Sequence, residues 1–264
     1  MILSSPGPIA FEIGPLTIRW YGIIIAIAFI IGLLVTTKIA KKQNENPEHI
    51  LDLASYLLVG CAISARLYYV IFNWQYYSQH LSDTFKIWQG GLSIHGAIIG
   101  GFIILAIYTK IHKLSFLKYA DIIAYGAILG QAIGRWGNFF NSEAFGAPTN
   151  SPIKLYIPPE ARPIEYKQCE FFHPTFLYES IWNLLVFLLL YFVVRKKFKG
   201  QNGVIVFTYL ILYSIGRIII ESIRIDSIYS IFGIPLAQFI SVIIILIGII
   251  GLYYVTRNKK HAGQ

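Results

Sequence analysis

Apolar residues run through this chain for about a membrane thickness at a time, separated by short polar stretches. Seven such runs, residues 18–37, 51–72, 92–109, 119–139, 175–194, 203–223 and 236–255, reach the roughly 17 to 25 residues that a helix needs to cross about 30 Å of hydrocarbon. The pattern predicts seven transmembrane helices. Gly126, Gly130, Gly134 and Gly137 interrupt the fourth run, which a helix braced by neighbours tolerates. The period-two alternation of a transmembrane barrel is missing from these Ile/Leu runs. Two polar stretches exceed a simple turn. Residues 73–91 set Trp74, Tyr76, Tyr77, Phe85 and Trp88 among polar neighbours, the composition of an arm lying in the headgroup region. Residues 147–174 hold Pro148, Pro152, Pro158, Pro159, Pro163 and Pro174, which excludes long helices and predicts a small extended or hairpin-like cap.

Composition agrees with a membrane class. With 56% hydrophobic and 13% charged residues over 264 positions and a mean hydropathy of +0.60, the chain has too few charges to cover a soluble globule of this size. The expectation is an all-α integral membrane protein forming one polytopic domain over residues 1–264. The net charge of +9 raises the question of nucleic acid, but its placement answers no. Lys38, Lys41 and Lys42, then Lys110, Lys113 and Lys118, then Arg195, Lys196, Lys197 and Lys199, then Arg257, Lys259 and Lys260 follow helices one, three, five and seven. That is a positive-inside pattern, with the N-terminus outside, the C-terminus inside, and both the arm and the cap outside. Residues 1–17 carry no basic n-region, so a cleaved signal peptide is not expected. Cys61 and Cys169 show no CxxC or metal-ligand spacing and read as structural or incidental thiols.

Depth then becomes informative. Arg66 lies six residues before the outer end of helix two, roughly 9 Å below that surface at 1.5 Å per residue. His95 and Glu179 fall just inside the starts of helices three and five, Arg135 near the outer end of four, and Arg217 and Glu221 near the outer end of six. On this threading all six ionisable groups share the outer leaflet, joined by Tyr21 of helix one. An arginine at a bilayer centre costs roughly 2.5 to 3.5 kcal/mol on insertion scales, so such residues line cavities or perform chemistry.

Three segments carry that chemistry. Gly90-Gly91-Leu92-Ser93-Ile94-His95-Gly96 sets one imidazole among glycines that permit close approach of backbone or substrate; a neutral imidazole can accept a proton from a thiol or hydroxyl. Gly134-Arg135-Trp136-Gly137-Asn138-Phe139-Phe140-Asn141-Ser142-Glu143-Ala144-Phe145-Gly146 packs a guanidinium, two amides and a carboxylate between glycines and aromatics. A capped and anchored helix end would need less, and Arg is suited to gripping phosphate through planar, bidentate donors. Arg217, Glu221 and Arg224 follow at i, i+4, i+7 and stack on one helix face, as an ion-pair ladder, an anion site, or both. His173, Tyr178 and Glu179, at the opening of helix five, read as bracing groups. Serine hydrolase, zincin and nucleotide-binding motifs are missing, and carboxylates do not cluster as a divalent metal would need.

These three segments, the opening of helix five and Arg19-Trp20-Tyr21-Gly22 together resemble the bacterial prolipoprotein diacylglyceryl transferases over nearly the whole chain, in order. Ala97 departs from the family pattern, in which a further glycine often follows the His-Gly pair. The resemblance implies a seven-helix membrane fold with external arms and a small head in the bacterial cytoplasmic (inner) membrane, with the active site towards the outer face. It also implies transfer of the diacylglyceryl group of phosphatidylglycerol to the lipobox cysteine of a prolipoprotein signal peptide, forming a thioether and releasing glycerol phosphate. On that reading Arg135 and Arg217 hold the phosphate, Glu221 orients Arg217, and His95 is the leading base. Tyr21, Asn138, Asn141, Glu143 and Gly146 position substrate, and Arg66, His173, Tyr178, Glu179 and Arg224 support the site. No metal or soluble cofactor and no nucleic acid are expected. An anion or lipid transporter using the same arginines is the alternative. It calls for inverted repeats and polar residues continuing to the inner face, whereas helix seven has no ionisable residue across 236–255.

Overall fold

The structure, a computed structural model, describes residues 1–226, 230–231 and 233–262; the rest of the expected 1–264 domain lies outside the described residues. It is mostly helical. The long helices are α1 (Trp20–Lys42), α2 (Pro47–Phe72), α3 (Ile94–Ile111), α4 (Phe116–Asn141), α5 (Thr175–Lys197), α6 (Val204–Glu221) and α7 (Leu236–Ala262). All but α4 are long and apolar enough to cross a membrane. At 26 residues α4 has the length, but Lys118, Asp121, Gln131, Arg135, Asn138 and Asn141 dilute its apolar content. The glycines of the fourth run do not break it, because helical backbone satisfies itself without side chains. Packing divides the chain into two compact units, one of Met1–Val35 with Asp121–Gln264 and one of Thr36–Ala120.

In the smaller unit α2 starts at Asn46, whose side chain accepts from Glu48 N at 3.0 Å ahead of Pro47 at the first helical position. Its C-terminal half lies against α3. A Cβ on Gly96 would come within 2.5 Å of Ser64 O, and one on Gly100 would collide with the Ser64 side chain. Small residues thus let two membrane helices approach to backbone contact. The arm of residues 73–91 forms a helical turn, Trp74–Tyr77, and two 3₁₀ turns, Leu81–Phe85 and Ile87–Gln89. Trp74, Phe85 and Trp88 are exposed.

In the larger unit the residues ahead of α1 form strands. β1 (Ile2–Ser4) precedes a hairpin of β2 (Ile9–Ile13) and β3 (Leu16–Arg19), turned at Gly14 with φ +57°. β1 pairs in parallel with β4 (Lys154–Tyr156), which pairs antiparallel with β5 (Phe171–Phe172). The cap is therefore a three-stranded sheet over a core of Phe145, Leu155, Ile157, Phe172 and Phe176. A further hairpin, β6 (Ser230–Ile231) with β7 (Ile234–Pro235), precedes α7.

Asp121, buried in α4, caps α6: its carboxylate accepts from Gly203 N and Val206 N, both at 2.7 Å. Asp121→Ala is expected to lower stability by about 1.5–3 kcal/mol, the range for hydrogen bonds to a charged group, read as a lower melting temperature of the detergent-solubilised protein. An unchanged melting temperature would contradict the capping role.

Candidate active site

In the larger unit the site begins with the last turns of α4, where Arg135, Asn138 and Asn141 recur every three residues. The helix stops in a tight reversal, with Ser142 at φ +52° and Ala144 at φ +56°. Residues with a side chain pay about 1–3 kcal/mol for left-handed backbone, and such strain gathers at functional sites. Here it turns Glu143 back on its own helix, where Oε1 accepts from Asn138 Nδ2 at 2.9 Å and Asn141 Nδ2 at 3.2 Å. Thr175 Oγ1 donates to Ala144 O and fixes the reversal to the start of α5.

One turn into α5 stands Glu179, 4% exposed. Its Oε2 meets Arg135 Nη2 at 2.6 Å, and its Oε1 meets Arg217 Nη1 at 3.3 Å and Arg224 Nη1 at 3.2 Å. Arg217 Nη2 also pairs with Glu221 Oε2 at 2.7 Å, one turn along α6. Arg224, past the helix end, holds Asp226 bidentately at 2.9 Å through Nε and 2.6 Å through Nη2. Burial opposes charge on both partners, yet their mutual hydrogen bond keeps the Asp226 carboxyl below the ordinary carboxylate range and the Arg224 guanidinium above its own. Three guanidiniums thus face Glu179, Glu221 and Asp226, so the group is neutral as a set. That is what allows so many charges in low dielectric.

Arg217 pairs with Glu221 as the i, i+4 spacing predicts, but Arg224 does not continue the same helix face. The structure ends α6 at Glu221, leaving Arg224 only 3.9 Å contact with that carboxylate. Glu179, which its place at the opening of the helix predicts to be a brace, is the hub of the network. Asp226 was not anticipated, because the spacing rules for helix faces stop where the helix does. Gly146 owes its identity to packing: a Cβ would lie 2.8 Å from His173 Cβ and 3.0 Å from Ile223 O. His173 Nδ1 and Tyr178 OH are 3.2 Å apart. Tyr21, in the first turn of α1, lays its ring over Gly137, where a Cβ would lie 2.7 Å from the ring.

Arg66 and His95 belong to the smaller unit. His95, in the first turn of α3, is exposed, its ring centroid 6.1 Å from that of Tyr68. Arg66 is 6% exposed, and its guanidinium donates to the carbonyls of Asp83, Thr84, Gly90 and Gly91. It is a clamp on the protein's own backbone rather than an anion ligand. A hollow of about 270 Å³ in the cap is lined by Pro148, Thr149, Asn150, Cys169, Glu170 and Phe171. None of these residues belongs to the arginine network.

A guanidinium has five N–H donors, and Arg135 reaches Glu179 through Nη2. Donors therefore remain on an arginine already held in place, the arrangement needed to receive an anion without reorganisation.

Comparison with known proteins agrees with this chemistry. The family model described as prolipoprotein diacylglyceryl transferase matches residues 8–254. The chain is 48% identical over 259 residues to the phosphatidylglycerol–prolipoprotein diacylglyceryl transferase of Acaryochloris marina, covering 98% of this chain and 94% of that protein. It is 49% identical over 250 residues to the protein of that name from Thermosynechococcus vestitus, covering 95% and 92%. For the one from Synechocystis sp. it is 48% identical over 262 residues, covering 98% and 92%. A membrane protein with a neutralised arginine network on α4, α5 and α6, matched in this way over nearly all its length, belongs to the prolipoprotein diacylglyceryl transferase family.

Proposed function

We propose that this enzyme transfers the diacylglyceryl group of phosphatidylglycerol to the lipobox cysteine of a prolipoprotein signal peptide, at a site facing the outer side of the bacterial cytoplasmic membrane. The bond between the glyceryl carbon and its phosphate oxygen breaks, and the cysteine Sγ–carbon bond forms. Glycerol phosphate leaves with the electron pair of the broken bond, and the thiol proton goes to a base. The observation that carries the reading is the convergence of three guanidiniums on one buried carboxylate beside the strained Ser142–Ala144 reversal.

Each residue has work in that scheme. Arg135 and Arg217 face the phosphate and stabilise the charge that grows on it as it departs. Glu179 and Glu221 hold the two guanidiniums at fixed positions, while Arg224, neutralised by Asp226, ties the end of α6 to the hub. Asn138, Asn141, Glu143 and Tyr21 position the glycerol and the peptide. Gly146, His173 and Tyr178 shape the wall. His95 accepts the thiol proton, and Arg66 supports the segment that carries it. All seven long helices span the membrane in this reading, with the N-terminus outside and the C-terminus inside.

Transfer is tested by incubating purified protein with phosphatidylglycerol vesicles and a lipobox peptide. Glycerol phosphate should appear one-for-one with the loss of free thiol, and a peptide with serine in place of its cysteine should release none. Release without a thiol would indicate a phospholipase C-type hydrolysis, with water as the acceptor and diacylglycerol as the second product, instead. Orientation is tested by single cysteines at Thr149 and Lys199 in a background lacking Cys61 and Cys169. An impermeant maleimide added outside should label the first position only; the reverse order would put the site on the cytoplasmic face.

A further inference from the structure

We infer that Arg66 is a positioning residue, which sets the imidazole of His95 by clamping the backbone corner from which α3 starts. The inference rests on the proposed role of His95 and supplies the means by which its position is fixed.

The geometry is specific. Nε of Arg66 donates to Thr84 O at 2.8 Å, Nη1 to Gly90 O at 2.8 Å and Gly91 O at 3.0 Å, and Nη2 to Asp83 O at 2.5 Å. The guanidinium also lies 5.2 Å from the centre of the Tyr77 ring. Among the described residues no carboxylate pairs with it. That of Asp83 is taken by Lys86 at 2.6 Å and Tyr76 at 2.8 Å. A buried cation solvated by four carbonyl dipoles holds their positions more sharply than one ion pair would, since its planar fork fixes direction as well as distance. A lysine ammonium, with three donors at one point, cannot reach four carbonyls so arranged.

What those carbonyls belong to gives the clamp its purpose. Gly90 and Gly91 adopt φ +88° and +73°, a corner that residues with side chains rarely make. A Cβ on Gly91 would lie 2.5 Å from Arg66 Nη1. Two residues on, Ser93 N donates to Ala65 O at 3.1 Å, beside Arg66 on α2. Gly96 then seats α3 on the Ser64 carbonyl. The corner and the first turn of α3 are thus tied at successive points to residues 64–66, and His95 stands in the tied turn. Proton transfer falls steeply when the base is displaced, and an error of about 1 Å can cost 10²-fold. A clamp fixed to a transmembrane helix meets that requirement better than a free loop.

The experiment is a double-mutant cycle on the transfer rate with Arg66→Lys and His95→Gln. Arg66→Lys should lower kcat by about 10- to 10²-fold, with KM for phosphatidylglycerol within about twofold, because it moves the base and not the lipid site. The double variant should be no slower than His95→Gln alone, since nothing is then left to position. Gly91→Ala, which keeps Arg66 but pushes on its guanidinium, should reproduce the kcat loss. Amide hydrogen exchange over residues 83–95 should quicken in Arg66→Lys and stay at the wild-type rate in His95→Gln. Multiplicative losses in the double variant, or full activity of Arg66→Lys, would overturn the positioning role. Full activity of His95→Gln would overturn the base assignment and this role with it, an outcome distinct from the other two.

Discussion

Arg135→Ala is expected to reduce diacylglyceryl transfer to below a tenth of the wild-type rate while leaving the protein folded. Removing one preorganised donor from a developing anion typically costs about 10² to 10³ in kcat. The structure explains why the fold should survive. Glu179, the partner left behind, keeps contacts with Arg217 at 3.3 Å and Arg224 at 3.2 Å, so no buried carboxylate is stranded. Arg135→Lys should restore part of the rate only, because a point charge cannot supply two parallel donors to a phosphate. Glu179→Ala should behave differently. It removes the carboxylate that three guanidiniums share, leaving Arg135 without the partner that holds it while Arg217 and Arg224 keep Glu221 and Asp226, and breaking a buried pair from one side costs about 3–5 kcal/mol. Loss of folded protein should therefore accompany loss of activity. An Arg135→Ala enzyme retaining more than about a tenth of the rate, a loss below roughly 1.4 kcal/mol of transition-state stabilisation, would contradict the phosphate-facing role.

His95→Gln separates a base from a field. If the imidazole removes the thiol proton, the variant should slow transfer by about 10² to 10⁴, the usual contribution of general base catalysis. Its deficit should shrink as pH rises towards the ordinary cysteine pKa of about 8.5, because more of the acceptor is then already thiolate. Arg217→Ala should stay impaired at every pH, since what it lacks is a charge facing the phosphate. The check is a pH–rate profile of both variants against wild type. Equal and pH-independent deficits would remove the base assignment and leave His95 a hydrogen-bonding or structural residue.

How much of this was legible in the sequence follows from the range of the forces concerned. Apolar runs report burial in lipid, so the helices could be read almost to their ends. The long α4 is the least apolar of the seven because it carries the site's Arg135, Asn138 and Asn141 besides Lys118, Asp121 and Gln131. The strands of residues 2–19 were not legible. β1 is short and pairs with β4 some 150 positions away, a contact that no local pattern encodes. The arginines announced themselves by their cost in a membrane, and the i, i+4 rule joined Arg217 to Glu221. The hub at Glu179 is a tertiary fact, made by three helices and the turn after α6. So is the clamp at Arg66, whose partners are backbone carbonyls and carry no sequence signature.

The most direct test of the central claim is the mass of a lipobox peptide after incubation with this purified protein and phosphatidylglycerol of defined acyl chains. The account predicts a gain of one diacylglyceryl unit, located by fragmentation on the cysteine and stable to hydroxylamine as a thioether is. An unmodified peptide, or a gain of one acyl chain released by hydroxylamine as from a thioester, would contradict it.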